Sequence, residues 1–298
     1  MPRKEVAAEH QLYQSYDTPE EIERIKVHYE KDPRFFDLLT GGTWHVYSHS
    51  LWTRDDMTST QAEEAKLDLL GEAMQLKPGK RILDVGAGWG GPLVYLCKQY
   101  GVTGVGIMLN EDQRASAQAR AKQYGVDATF YVSHWKDYGQ SNEFDAVFSD
   151  EVMAHFPDLG AYFQHTWNIM KMGGRFVNKE LHYTHKRYSY FGRTGEHVHA
   201  LYGYAGYYVT LGEELVAFNN SGFELIQEIN LPMTHYQRTM DQWLKNMYSN
   251  QEELKTLSNE QTYQDFRKYL KIMRRVFSTN AMSSNVVIGE KIDPDDHA

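Results

Sequence analysis

The 298-residue chain has one cysteine, Cys97, which excludes an internal disulfide framework and suits a reducing compartment. No apolar run approaches the length that crosses a bilayer. The opening MPRKEVAAEHQLYQ lacks the apolar core of a signal peptide, so a cytoplasmic location is expected. No long basic run offsets a formal net charge of -9, and this argues against a nucleic acid partner. Internal repeats and low-complexity segments are absent. Aromatic residues, by contrast, are plentiful: 13% of the chain, with 21 Tyr and 6 Trp, which favours an aromatic-lined pocket. The 41% hydrophobic and 24% charged residues are ordinary for a globular protein. The length fits one large domain, or one domain with an appended cap.

From about residue 80 short apolar runs alternate with helical stretches, the pattern of parallel βαβ units. KRILDVGAG, VTGVGIML, ATFYVSH, FDAVFSDEVM and RFVNKELHY read as five strands, and FELIQEINL and SNVVIGEK as two more. Helices are expected at GPLVYLCKQY, NEDQRASAQARAKQYG and DLGAYFQHTWNIMKMGG, near 212–222, and along 235–277. Upstream, amphipathic helices near 18–31 and 58–76 flank the irregular GGTWHVYSHSLW. The expected architecture is an open, mostly parallel, seven-stranded α/β sheet with helices on both faces. Residues 1–76 form an N-terminal helical cap, 77–291 the core, and 292–298 a disordered tail. Residues 184–211, rich in Tyr, Gly and His, break the rhythm as a lid insertion. Cofactor crevices of such sheets lie beyond the carboxyl ends of the strands.

One further absence is specific. LDVGAGWGG at 83–91 is a glycine turn after a strand, yet VGIMLNEDQ, the next strand and turn, has no acid closing its apolar run. A dinucleotide loop wants a helix N-terminus on a pyrophosphate and an acid about twenty residues on for the ribose. The GxGxG spacing of Gly86, Gly88 and Gly90, with Trp89 inside the turn, suits a phosphate-free nucleoside such as S-adenosylmethionine better. With no ligand, three glycines after Asp84 would carry a needless entropic cost.

LDVGAGWGG together with YGVTGVGIMLNEDQ resembles the cyclopropane fatty acid synthase-like group of S-adenosylmethionine-dependent methyltransferases, which includes the mycolic acid cyclopropane synthases. HYEKDPRFFDLL, YSHSLWTRDDMT, SHW and HYQRTMDQWLKN resemble further motifs of that family, and the resemblance spans about residues 22–291. It implies a Rossmann-like class I methyltransferase fold with S-adenosylmethionine as methyl donor. It also implies that the ribose is held by neutral polar residues after the second strand: Gln113 matches the family's Gln, Asn110 stands where Ser is usual, and Met108 replaces a Thr. Tyr47 and Ser48 close over the methionyl end from the cap, while Asp84, Gly86, Ala87 and Gly88 pass beneath it. Trp135, beside His134, lies against adenine; without the resemblance it reads equally as a core aromatic.

The family's cyclopropane synthases use a bound bicarbonate as base. They hold it with a Cys after YS, a Glu in FEH, a His at the end of the fifth strand and a Tyr in HY. Here those positions carry His49, Ala154, Lys179 and Tyr236, so the bicarbonate route is not expected. His155, which matches the His of the family's motif, His49 and Glu151 are the candidate bases, with Tyr236 as a fourth catalytic candidate. His suits proton removal near neutral pH, although it is as often structural. His182, His235, Tyr236 and Lys179 are the expected substrate contacts. HYTH and HVH (His182, His185, Glu196, His197, His199) have spacings open to a metal, but no Cys or tight acidic cluster supports one, and no metal is assigned. Lys186, Arg187 and Arg193 could meet a phosphate head group or be simply solvated. The expected reaction is carbon methylation of an alkene in an isoprenoid or other specialised metabolite. Nitrogen or oxygen methylation, a fatty acyl cyclopropane or methyl-branch synthase and a non-catalytic S-adenosylmethionine sensor are the alternatives. The acceptor is a small or lipid-like molecule, and homo-oligomerisation is left open.

Overall fold

In a computed structural model, residue 29 and residues 31–188 and 208–293 are described. Seven strands form one sheet: β1 (Arg81–Val85), β2 (Thr103–Met108), β3 (Ala128–Val132), β4 (Phe144–Asp150), β5 (Met170–Tyr183), β6 (Phe223–Leu231) and β7 (Met282–Lys291). Their spatial order is β3-β2-β1-β4-β5-β7-β6. Pairs from β3 to β5 are parallel, and β7 alone runs antiparallel to its neighbours β5 and β6. This is the Rossmann-like methyltransferase sheet expected from the sequence. The strand order reverses at β1 and β4, where open α/β sheets leave a crevice.

The helices are α1 (Pro33–Thr40), α2 (Ser59–Ala73), α3 (Gly91–Tyr100), α4 (Glu111–Tyr124), α5 (Leu159–Ile169), α6 (Leu211–Asn220), α7 (Thr234–Ser249), α8 (Gln251–Leu257) and α9 (Glu260–Val276). Local chemistry explains their starts. Thr58 and Gln61 form a capping box for α2, as Thr210 and Glu213 do for α6, satisfying otherwise orphaned N–H groups. Asn110 caps α4.

Three sequence expectations are corrected. Helix 235–277 is three helices, broken at Asn250 and again at Ser258 and Asn259, whose side chain restarts α9 by accepting from Thr262. The fifth helix stops at Ile169; Met170 already pairs with Phe144, and Gly173 turns the chain at φ +71°. Helix α1, not foreseen, starts on Pro33 with the Asp32 side chain as its cap, a placement that suits proline's fixed φ. The expected helix near 18–31 and most of the expected lid lie outside the described residues.

Aliphatic and aromatic cores fill both faces of the sheet. A separate aromatic and Met-rich core joins α1 to α7–α9 through Phe35, Phe36, Trp243, Met247 and Phe266. It also takes in Trp89 after β1 and Leu181 and Tyr183 of β5. Among the described residues no helix is long and apolar enough to cross a membrane.

Candidate active site

A cavity of about 160 Å³ opens at the crevice. Strands β1 to β4 each contribute residues at or just past their carboxyl ends: Asp84 to Trp89 at β1, Met108 to Asn110 and Gln113 at β2, His134 and Trp135 after β3, and Asp150, Glu151 and His155 at β4. The cap closes it with His45, Val46, Tyr47 and Ser48. All ten expected cofactor residues therefore line one cleft.

The glycine turn explains itself at two positions. A Cβ on Gly88 (φ +53°) would meet nothing within 4 Å, because it would stand in the cleft. A Cβ on Gly91 would lie 1.5 Å from the Trp44 carbonyl oxygen, so the cap rests directly on the start of α3. Gly88→Val places a β-branched side chain at a left-handed φ and into the cleft. Loss of measurable S-adenosylhomocysteine binding by calorimetry is the expected result; retained affinity would move the cofactor elsewhere.

At the cleft, Asp84 Oδ2 and Trp135 Nε1 are buried and have no hydrogen-bond partner among the described residues. Burial, and then the nearby Asp150, push the Asp84 carboxyl well above its usual range. A cationic ammonium in the cleft would reverse that and ionise it. The amino-acid end of S-adenosylmethionine supplies such a cation, so these residues fit the cofactor. Gln113 is buried against the cleft. Asn110 spends its side-chain oxygen on the N–H groups of Asp112 and Gln113, which leaves its amide hydrogens open to a ligand in the cleft. Gln113→Ala should weaken S-adenosylhomocysteine binding by about 1–2 kcal/mol, as read by calorimetry.

Beside the cleft lies a buried ionic cluster. Glu151 directly follows β4 with φ +59°, a conformation costly for a non-glycine residue and common at functional sites. Its Oε1 accepts from the His49 backbone N–H at 3.0 Å, His49 Nδ1 at 2.6 Å, Lys179 Nζ at 2.5 Å and the Tyr236 hydroxyl. Lys179 also donates to Asp150 Oδ1 at 2.8 Å, and Lys66 of α2 pairs with Asp150 Oδ2. Ser48 accepts from Lys66 at 2.5 Å and donates to Asp150 at 2.6 Å. Burial alone would raise the Glu151 carboxyl, but Lys179 and His49 outweigh it and hold it well below its usual range. Glu151 is therefore an ionised carboxylate with an 18% exposed side chain at the cleft wall.

The histidines divide. His155 follows β4 in a short 3₁₀ turn and lines the cleft; burial lowers it to about 4, so it is neutral. His49 is buried, stacked on Tyr236 at 3.7 Å, and lowered to about 3, chiefly by burial and then by Lys179. It meets Glu151 and is not part of the cleft lining.

None of the four expected substrate contacts lines this cleft. Alternation along β5 puts Lys179, Leu181 and Tyr183 on one face and Asn178, Glu180 and His182 on the other. His182 is fully buried between Glu214 of α6 and Asn285 of β7, and holds α6 to the sheet. Lys179 is fully buried in the ion cluster. His235 Nδ1 accepts from the Trp52 N–H at 3.1 Å and fixes the cap. Tyr236 is buried and reaches Glu151 rather than the cleft. Among the described residues no group of three or more His, Cys, Asp or Glu could hold a metal; Arg193, Glu196, His197 and His199 lie outside them. Sequence reading missed Lys66, Asp150 and Tyr29, which also lines the cleft. Two adjacent acids at the end of a strand were a signal for Asp150; Lys66 gave none, because this helix is less amphipathic than expected from the sequence at 58–76.

The family model of mycolic acid cyclopropane synthetase matches residues 16–287. The chain belongs to this family. The S-adenosylmethionine-dependent methyltransferase UmaA of Mycobacterium tuberculosis is 26% identical over 259 residues, covering 81% of this chain and 88% of that protein. A Pseudomonas putida protein named "Probable fatty acid methyltransferase" is 25% identical, covering 95% and 73%. The mycolic acid cyclopropane synthase CmaA1, solved with S-adenosylhomocysteine and CTAB, superposes with a TM-score of 0.84 at 23% identity, covering 91% of this chain and 98% of that one. This cyclopropane synthetase family member is an S-adenosylmethionine-dependent methyltransferase that acts on a small or lipid-like substrate.

Proposed function

We propose that the enzyme methylates the carbon–carbon double bond of an unsaturated fatty-acyl chain, with Glu151 as the proton acceptor. The mycolic acid family and the fatty acid methyltransferase relative favour a fatty-acyl acceptor over the isoprenoid expected from the sequence. The alkene π electrons attack the sulfonium methyl: a C–C bond forms, the S–CH₃ bond breaks, and neutral S-adenosylhomocysteine leaves a carbocation. Glu151 then takes a proton. Removal from the added methyl closes a cyclopropane; removal from a neighbouring carbon gives a methyl-branched alkene.

The observation that carries this reading is the convergence of His49, Lys179 and Tyr236 on one carboxylate oxygen. Those are three of the positions at which the cyclopropane synthases hold bicarbonate, so a built-in carboxylate takes the place of a bound one. A carbocation is so acidic that a weak base suffices, and an ionised carboxylate also stabilises the developing positive charge. The aromatic rings of Tyr29, Tyr47 and Trp89 at the cleft suit a passing cation as well.

The test is to supply methyl-labelled donor with vesicles of a cis-unsaturated phospholipid and to analyse the released fatty acids by mass spectrometry. One added carbon per chain supports the proposal. Label passing instead to an isoprenoid diphosphate or an amine overturns the acceptor. The pH profile tests the base. Because the Glu151 carboxyl is depressed, activity requires its ionised form and is lost only as pH falls through that depressed value, below the ordinary 4.5. No acid limb is expected near pH 6–7, and a limb there would count against Glu151 as the base.

A further inference from the structure

We propose that Glu63, buried on the inner side of α2, is a positioning residue that sets how tightly the methyl donor is held, by clamping residues 42–48 across the cleft. The proposal rests on the cofactor assignment of that cleft and is independent of the acceptor.

Glu63 is 2% exposed, yet no lysine or arginine pairs with it in an ion pair among the described residues. It accepts instead from two backbone N–H groups of the cap loop, Trp44 through Oε2 and Val46 through Oε1, each at 3.0 Å. Burial is the largest influence on this carboxyl and pushes it up to about 7, although both N–H groups and Lys66 pull the other way. A helix surface normally avoids such a desolvated acid, and nothing in the core of α2 requires it. What it organises is the loop. A Cβ on Gly42 would stand 2.1 Å from Glu63 Oε2, so the loop lies directly against the carboxylate.

Neighbouring residues of α2 extend the clamp. Thr60 accepts from the Thr43 N–H at 3.1 Å, Glu64 from the Trp44 indole at 3.0 Å, and Lys66 holds Ser48. Residues 60, 63 and 64 share one helical face. The loop they fix is the one that presents His45, Val46, Tyr47 and Ser48 to the cleft. Its far side is pressed on α3, where the Trp44 carbonyl leaves no room for a side chain at position 91. Glu63 thus holds the middle of a loop whose two ends are fixed elsewhere.

The test uses the full-length chain with Glu63→Gln, Glu63→Ala and Gly42→Ala. Gly42→Ala displaces the same carboxylate from the loop side. Calorimetry with S-adenosylhomocysteine reads the clamp directly, and initial rates at varied donor separate KM from kcat. All three variants should raise Kd and donor KM by about tenfold, the equivalent of one lost hydrogen bond to a charged group, with kcat at saturating donor within about twofold. A folded Glu63→Ala with wild-type Kd overturns the proposal, as does a fall in kcat with Kd unchanged. Where Glu63→Ala fails to fold, Gly42→Ala and Glu63→Gln decide: unaltered Kd in both overturns it. Because product binding is the readout, a wrong assignment of the acceptor leaves the result interpretable.

Discussion

Glu151→Gln should lower turnover by roughly 10²–10⁴-fold, the usual contribution of a positioned acid–base group, while S-adenosylhomocysteine affinity stays within about twofold. Glutamine keeps the shape, and its amide oxygen can still accept from Tyr236 and the His49 N–H. It cannot take a proton at neutral pH, nor offset positive charge on the acceptor. The strained φ at this position and four donors gathered on one oxygen argue for a carboxylate held for a purpose, since neutral residues would pack there without strain. Single-turnover measurement with labelled donor separates the chemical step from product release. His155→Ala is the control: it lines the same cleft, and a loss there matched by an active Glu151→Gln would transfer the role to His155.

The sheet and the cofactor cleft were legible because both depend on local sequence. Apolar runs of strand length, glycines where a left-handed turn or a ligand needs them, and the Asn110 cap are short-range signals. Asn110 and Gln113 were readable as cleft residues because they follow β2 within one helical turn. The buried ionic cluster was legible only in part. Glu151, His49 and Tyr236 were singled out as separate candidates, but they are 102 and 85 residues apart from Glu151 in the chain, and only the fold joins them. Lys179 was expected at the substrate because it stands where the resemblance places the family's strand-end His. Strand alternation decides which face it takes, and the sequence alone cannot say which face meets β4's acids. His182 failed for the same reason, being one register step from a different answer. Lys66 was invisible because a lysine in a helix is ordinarily solvated; here its burial depends on Asp150, 84 residues on.

Lys179→Met should destabilise the protein by about 3–5 kcal/mol, the cost of leaving a buried ion pair with one partner. In the wild type Lys179 is fully buried and serves both Asp150 and Glu151. Methionine fills similar space but leaves Lys66 as the one buried cation of the cluster, bonded to Asp150, beside two carboxylates. The pH dependence separates this mechanism from a simple packing defect. Both carboxyls are depressed in the wild-type fold despite burial, Lys179 being the leading opposing influence. Their stabilisation is therefore present above the unfolded values of 3.8 and 4.5 and is lost as pH falls through the depressed folded ones. Without Lys179 burial prevails at Glu151 and its carboxyl moves above its unfolded value. The variant is then penalised increasingly as pH rises from below 4.5 through the raised value. Urea denaturation at pH 5 and pH 7 should show the gap between wild type and variant widening with pH, and Lys179→Met should be closest to wild type in mild acid. An equal gap at both pH values would mean that lost packing, rather than an uncompensated carboxylate, accounts for the damage.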